Sequence, residues 1–195
     1  MIPRLDQAAR LPQAFPELRA DGLVLREIRA DDAPDWHRYV SDEEGIHWTS
    51  SPLMSLEEIG AMIAFMTERL ADRTGIRWAV TDAPGGKMFG DCGYNSFHAR
   101  DGRGEIGYQL ARERWGRGEM TRAVAAIIEY GFGELELNKV EATVSVGNER
   151  SAGLLRKLGF QVEGTLREYR NRRGQLGDSW YFGLLRREWY GGAWQ

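Results

Sequence analysis

The stretch Trp115-Gly116-Arg117-Gly118-Glu119-Met120-Thr121 lies between a strand-like run, Gly104 to Leu110, and a helical run that ends near Leu135. Small residues at the start of a helix leave several backbone N–H groups free to point at one anion. The helix macrodipole adds partial positive charge at the same place. The loop is therefore a candidate phosphate cradle. It does not fit a nucleoside triphosphatase loop, because Glu119 and Met120 follow Gly118 where a lysine and a hydroxyl would stand. It also fails the dinucleotide fingerprint, which needs a third glycine at the position of Thr121. Taken alone, a glycine turn that caps a helix explains the loop equally well.

Other polar residues have spacings that permit chemistry. Asn148 and Ser151 are three positions apart, so on a helix their side chains face the same spot, although Asn148 can equally be a plain N-cap with Ser151 in the first turn. Glu105 shares a strand face with Gly107 and Gln109 and is a candidate proton acceptor; a structural partnership with an arginine is the other reading. Glu168, in Leu166-Arg167-Glu168-Tyr169, is the competing carboxylate. His37, His47 and His98 have no metal-ligand spacing, and Cys92 is a lone thiol within a strand-like run, so no metal site or disulfide is expected.

The elements that must position these residues follow from periodicity. Leu23 to Ile28 is a first strand, and Asp31 or Asp32 caps a helix with Pro34 in its first turn that runs to about Val40. Ser55-Leu56-Glu57-Glu58 is a capping box. Behind it, Ile59, Met62, Ile63, Met66 and Leu70 make an apolar stripe, read as core rather than as ligand contact. Ile76 to Thr81 and Met88 to Phe97 flank Pro84-Gly85-Gly86 as a hairpin, and a turn at Arg100 to Arg103 leads into Gly104 to Leu110. The helix after the glycine loop shows Val124, Ile128, Phe132 and Leu135 on one face. Glu141 to Val146 is then a strand parallel to the one before the loop. Asn148 caps a helix over Arg150 to Leu158, and a last pair of strands flanks a turn near Gly174-Gln175-Leu176-Gly177.

The chain has 195 residues, 42% of them hydrophobic, which suits one α/β domain with a mixed sheet: residues 21–195, preceded by an N-terminal arm, 1–20. A net charge of −3 from intermixed charges gives no sign of a nucleic-acid backbone as the main ligand, and the basic run Arg167, Arg170, Arg172, Arg173 is more often a solvated turn than a nucleic-acid contact. The first twenty residues carry Pro3, Pro12 and Pro16 without a signal-peptide core, and no run reaches membrane-spanning length. A cytoplasmic protein without membrane or nucleic-acid partners is expected, as a monomer or homodimer.

Strand Glu105 to Leu110, loop Trp115 to Gly118, Asn148-Glu149-Arg150-Ser151, Leu155-Arg156-Lys157-Leu158-Gly159-Phe160 and Glu163-Gly164, in this order, resemble the GNAT N-acetyltransferases of the RimJ/RimL-like branch from about Leu23 to Trp189. The resemblance implies a V-splayed, mainly antiparallel sheet flanked by helices. Acetyl-CoA would bind as co-substrate, without metal, where two parallel strands separate. Its pantetheine arm would meet the backbone of Gln109, Leu110 and Ala111. The pyrophosphate would rest on Trp115, Gly116, Arg117, Gly118, Glu119, Met120 and Thr121. The general family pattern has glutamine or arginine where this chain has Trp115, and glycine or alanine where it has Met120; tryptophan is usual in this branch, which also often has glutamate at Arg122.

Acetyl transfer to an amine needs a neutral amine, a place for the oxyanion and a proton for the leaving thiolate. The resemblance implies that Asn148 contacts the pantetheine arm and that Ser151 approaches the sulfur in place of the tyrosine that many relatives use. In histone-acetyltransferase members of the superfamily a glutamate at the matching strand position acts as base, which implies that role for Glu105, with Glu168 the competing carboxylate. Cys92 offers no covalent route, so direct transfer is expected. The acceptor implied is a protein N-terminal α-amine. A small amine (polyamine, amino acid or antibiotic) is the alternative within the class, and a non-catalytic acyl-CoA-binding module the alternative outside it. Trp36, His37, Tyr39, His47 and Trp48 are expected to shape the acceptor pocket.

Overall fold

The computed structural model describes residues 14–49, 53–172 and 174–191. Strands β1 (Leu18–Ala20), β2 (Leu23–Glu27), β3 (Ile76–Thr81), β4 (Gly90–His98) and β5 (Arg103–Leu110) follow one another as an antiparallel meander. β6 (Lys139–Ser145) then runs parallel to β5, and a long hairpin of β7 (Gln161–Arg172) and β8 (Gln175–Leu185) closes the sheet. The eight strands are ordered β1-β2-β3-β4-β5-β6-β8-β7, and every pair except β5–β6 is antiparallel.

Helices cover both faces. Between β2 and β3 come α1 (Ala33–Val40) and α2 (Leu56–Ala71); α3 (Glu119–Gly133) links β5 to β6, α4 (Glu149–Lys157) links β6 to β7, and α5 (Arg186–Gly191) follows β8. The period-2 alternation of strands decides which residues meet which helix. On one face, Tyr94 donates its hydroxyl to the Ile127 carbonyl of α3 at 2.9 Å, and Trp78 meets Tyr130 edge to face. On the other, the Tyr39 hydroxyl of α1 donates to Asp91 at 2.6 Å. The stripe expected on α3 is built as read, with Val124, Ile128 and Phe132 fully buried and Leu135 just beyond the helix end.

The capping box is present in full: Glu58 N–H donates to Ser55 Oγ at 3.3 Å, and Ser55 N–H donates to Glu58 Oε2 at 2.7 Å. At α1 the reading needs amendment. Asp32 occupies the N-cap position without a side-chain cap bond, because its carboxylate turns inward to a bidentate pairing with Arg26, both contacts at 2.7 Å. Part of the 1–20 segment, Leu18–Ala20, pairs with β2 as an edge strand; three residues are too short for an alternation signal. The last turn also sits earlier than read. Gln175, Leu176 and Gly177 belong to β8 and pair with Arg172, Asn171 and Arg170.

Candidate active site

β5 and β6 pair only at their beginnings, Arg103 with Lys139, Gly104 with Val140 and Glu105 with Glu141. Beyond Glu105 the two strands no longer pair, and the candidate site lies at the gap. At its root, Glu141 accepts from Arg103 Nη1 at 2.8 and 3.0 Å and lies 3.3 Å from Lys139 Nζ. Lys139 reaches on to Glu163 of β7 at 2.6 Å. Burial raises the Glu141 pKa, but hydrogen bonds from Tyr181, Arg103 and Lys139 outweigh it and bring the carboxyl below its ordinary value.

Two cavities meet in the gap. The larger, about 900 Å³, extends from the glycine loop along α4. The smaller, about 300 Å³, opens between the sheet, α1 and α2. Trp48, Thr49, Tyr108, Gln109, Asn148 and Ser151 line both.

Gly116 and Gly118 have φ of +78° and +71°, the left-handed region that a side chain resists, and Gly118 is the N-cap of α3. A Cβ on Gly116 would meet nothing within 4 Å, and one on Gly118, at the start of α3, would meet only Arg122 Nη1 at 3.5 Å. Trp115, Gly116, Gly118, Glu119, Met120 and Thr121 line the larger cavity. An open glycine turn at a helix start, continuous with a long cavity, fits a pyrophosphate-bearing co-substrate.

Several side chains of this loop face elsewhere. Glu119 is buried against Arg114, with bonds of 2.7 and 3.0 Å. Arg117 turns to the Glu113 carbonyl at 2.9 Å, and Arg122 donates to the Asp21 carbonyl at 2.9 Å, which ties the loop to the β1–β2 turn. Met120 is buried, and its Cε is the third-nearest atom, at 3.3 Å, to a Cβ built on Gly90. The small residue of β4 leaves the room that this departure from the family pattern uses. Trp115 donates its indole N–H to the Leu110 carbonyl at 2.9 Å and lies 4.4 Å beneath the Arg150 guanidinium.

The backbone offered by Gln109 to Ala111 is narrower than expected. Ala111 is fully buried, lines neither cavity and already donates its N–H to Phe89 at 2.8 Å. Gln109 and Leu110 do line the larger cavity.

Where the cavities meet, Ser151 Oγ is 2.8 Å from the Tyr108 hydroxyl, and the Ser151 N–H is capped by Asn148 Oδ1 at 3.2 Å. Sequence reasoning missed Tyr108. Strand alternation puts it on the face opposite Glu105, Gly107 and Gln109, toward α4, and that was the available signal. Burial pushes the Tyr108 phenol well above its usual pKa, against a smaller lowering by Ser151, so it stays protonated.

Glu105 lines neither cavity but accepts from Thr143 Oγ1 at 3.0 Å, and Arg170 Nη2 lies 3.5 Å from it and 2.5 Å from Thr143 Oγ1. Thr143 and Arg170 do line the smaller cavity. Glu168 stands apart, exposed on a β7 bulge with φ of +51°, its N–H donated to Asp178 at 2.9 Å.

The smaller cavity has another polar wall that the sequence did not reveal. Asp91 is fully buried and accepts from Tyr39 and Arg77, and Arg77 also donates to Asn95 Oδ1 at 2.9 Å. Asn95 sits at a bulge of β4, and a Cβ on Gly107 would approach its Nδ2 to 2.6 Å. The opposite wall includes Met62 and Met66, so two of the five residues of the α2 stripe read as core are cavity lining. Trp36, Tyr39 and Trp48 line one cavity or the other, whereas His47 is exposed at the edge of the Trp48 ring and His37 lines neither. Among the described residues, no group of three or more His, Cys, Asp or Glu is placed to hold a metal ion. No helix among them is long and apolar enough to cross a membrane.

The sequence matches the model of the acetyltransferase (GNAT) domain over residues 22–161. The chain belongs to this family, and it is an acetyl-CoA-dependent acyltransferase of GNAT type. It is 35% identical over 175 residues to an N-acetyltransferase of Bacillus licheniformis designated p20, covering 89% of this chain and 98% of that protein. Over 103 residues it is 42% identical to the putative ribosomal N-acetyltransferase YdaF of Bacillus subtilis, covering 51% and 56% of the two chains. The fold is shared with Mycobacterium smegmatis RimJ in complex with CoA-disulfide, at a TM-score of 0.77 and 24% identity over 92% of this chain and 90% of that one.

Proposed function

We propose that the larger cavity holds acetyl-CoA and the smaller one the acceptor amine, and that the acetyl group passes directly between them beside Tyr108 and Ser151. The observation that carries this reading is the pair of hydroxyls 2.8 Å apart on residues that line both cavities. Acetyl-CoA supplies the activated acetyl group as a thioester. Every other part falls to the chain. The amides at Gly116 to Thr121 face the pyrophosphate, and the edge of β5 at Gln109, beside the Leu110 carbonyl held by Trp115, meets the amide-bearing arm. Ser151 Oγ faces the sulfur and passes its proton to the leaving thiolate, while Tyr108, kept protonated by burial, steadies the seryl oxygen with a hydrogen bond until Ser151 recovers the proton that the amine gives up. Glu105 draws the amine proton through the Thr143 hydroxyl, which donates to it from the cavity wall.

The acceptor we propose is a protein N-terminal α-amine. It needs little help to lose its proton, since a pKa near 8 leaves a good part of it neutral at pH 7.5, against about one part in a thousand for a lysine side chain. A base reached through one hydroxyl suits that task. The partial match to a putative ribosomal N-acetyltransferase points to the same acceptor. The test is a mass-spectrometric screen of peptides and small amines with acetyl-CoA. Acetylation at peptide α-amines is expected, and turnover confined to small amines would replace this acceptor with the other.

A further inference from the structure

We infer that the smaller cavity selects an acceptor with a single amine and a long apolar first side chain, such as methionine or leucine, and rejects polyamines. The inference rests on reading that cavity as the acceptor site. Its outer wall is Met54, Met62, Met66, Trp36 and Val40. Met62 and Met66 are four residues apart on α2, so their thioethers lie side by side toward the cavity. Flexible methionine chains conform well to another long apolar chain, whereas serine, alanine or glycine would leave that wall in contact with water. At about 300 Å³ the space is at the lower end of ligand pockets and suits a chain terminus rather than a folded surface.

Charge completes the argument. Asp91 is the one carboxylate among the described residues lining this cavity, and Arg77 and Tyr39 already occupy it. Arg170 also lines the cavity, and the carboxylate beside it, Glu105, stands behind Thr143. A second or third ammonium of a polyamine would find no unpaired carboxylate and two guanidinium groups. Desolvating it there is unfavourable.

The test compares kcat/KM, by thiol release and mass spectrometry, for peptides identical except for Met, Leu, Ala or Ser at the first position, and for spermidine, with the wild-type protein and Met62→Glu. Met and Leu peptides are expected to exceed Ala and Ser peptides by ~10-fold or more, with spermidine below all of them. Met62 is half-buried at the cavity wall, and retention of the acetyl-CoA thermal shift would show that the variant folds. In the variant, the peptide preference should shrink to within about threefold and spermidine turnover should rise. Ala or Ser peptides that match or exceed Met would overturn this inference and leave the N-terminal acceptor standing, as would an unchanged order in a folded variant. Spermidine turnover above every peptide, or no peptide acetylated at all, would overturn both. If the variant does not fold, the wild-type order decides alone.

Discussion

Tyr108 and Ser151 illustrate how much a single contact reassigns. The family resemblance has Ser151 stand in for a tyrosine; in the fold it is bonded to one, from strand β5. Ser151→Ala is expected to lower kcat by on the order of 10²-fold or more with little effect on acetyl-CoA affinity, measured by steady-state kinetics beside calorimetric binding. Tyr108→Phe should lower kcat less, because Ser151 keeps its own proton. Glu105→Gln should depress the rate most at low pH, where the amine is protonated, and Glu168→Gln should match wild type, since Glu168 is exposed and lines neither cavity. A dead Glu168→Gln beside a normal Glu105→Gln would make Glu168 the base and overturn the assignment to Glu105. These residue roles were only partly legible. Asn148 and Ser151 are a helical turn apart, which sequence shows directly, but Tyr108, Asp91 and Arg77 are joined to their partners only by strand register and helix docking, which spacing does not encode.

At the scale of elements, the site depends on where pairing stops. β5 and β6 part after Glu105 and Glu141, and the glycine loop turns from the open end of β5 into α3. Both strands, the loop and helices α2, α3 and α4 could be read from periodicity and caps, because each of those signals is local. Where the pair would open could not be read from residues alone and came from the resemblance. The ends of the β7–β8 turn and the short edge strand β1 were also missed, since a strand three residues long gives no alternation. Acetyl-CoA should raise the thermal midpoint, as binding to the folded state alone stabilises by about 2.7 kcal/mol at a hundredfold excess over Kd. Gly118→Val places a β-branched side chain at a φ of +71° and should re-form the turn. Differential scanning fluorimetry should show a folded protein that has lost most of that acetyl-CoA shift. A full shift would remove the pyrophosphate from this loop.

For the whole molecule, charge pairs fasten one element to the next. Arg26 and Asp32 are paired with side chains 6% and 5% exposed, fixing the entry to α1 against β2. Asp32→Ala leaves the guanidinium buried without its partner and should cost about 3–5 kcal/mol in denaturant unfolding. Glu141, below its ordinary pKa when folded, contributes stability that is complete above the unfolded-state pKa and is lost as pH falls through the lower folded value. Glu141→Gln should therefore lower the melting temperature at neutral pH and reduce its acid dependence below about pH 4.5. Cys92 is fully buried, and burial pushes its thiol far above the usual range, so it offers no nucleophile for carrying the acetyl group. The central claim is transfer straight from one cavity to the other, and the most direct test is the initial rate of thiol release across a matrix of acetyl-CoA and acceptor-peptide concentrations. Double-reciprocal lines that intersect, with Cys92→Ser still active, are expected; parallel lines, with acetylated protein trapped in the absence of acceptor, would contradict it.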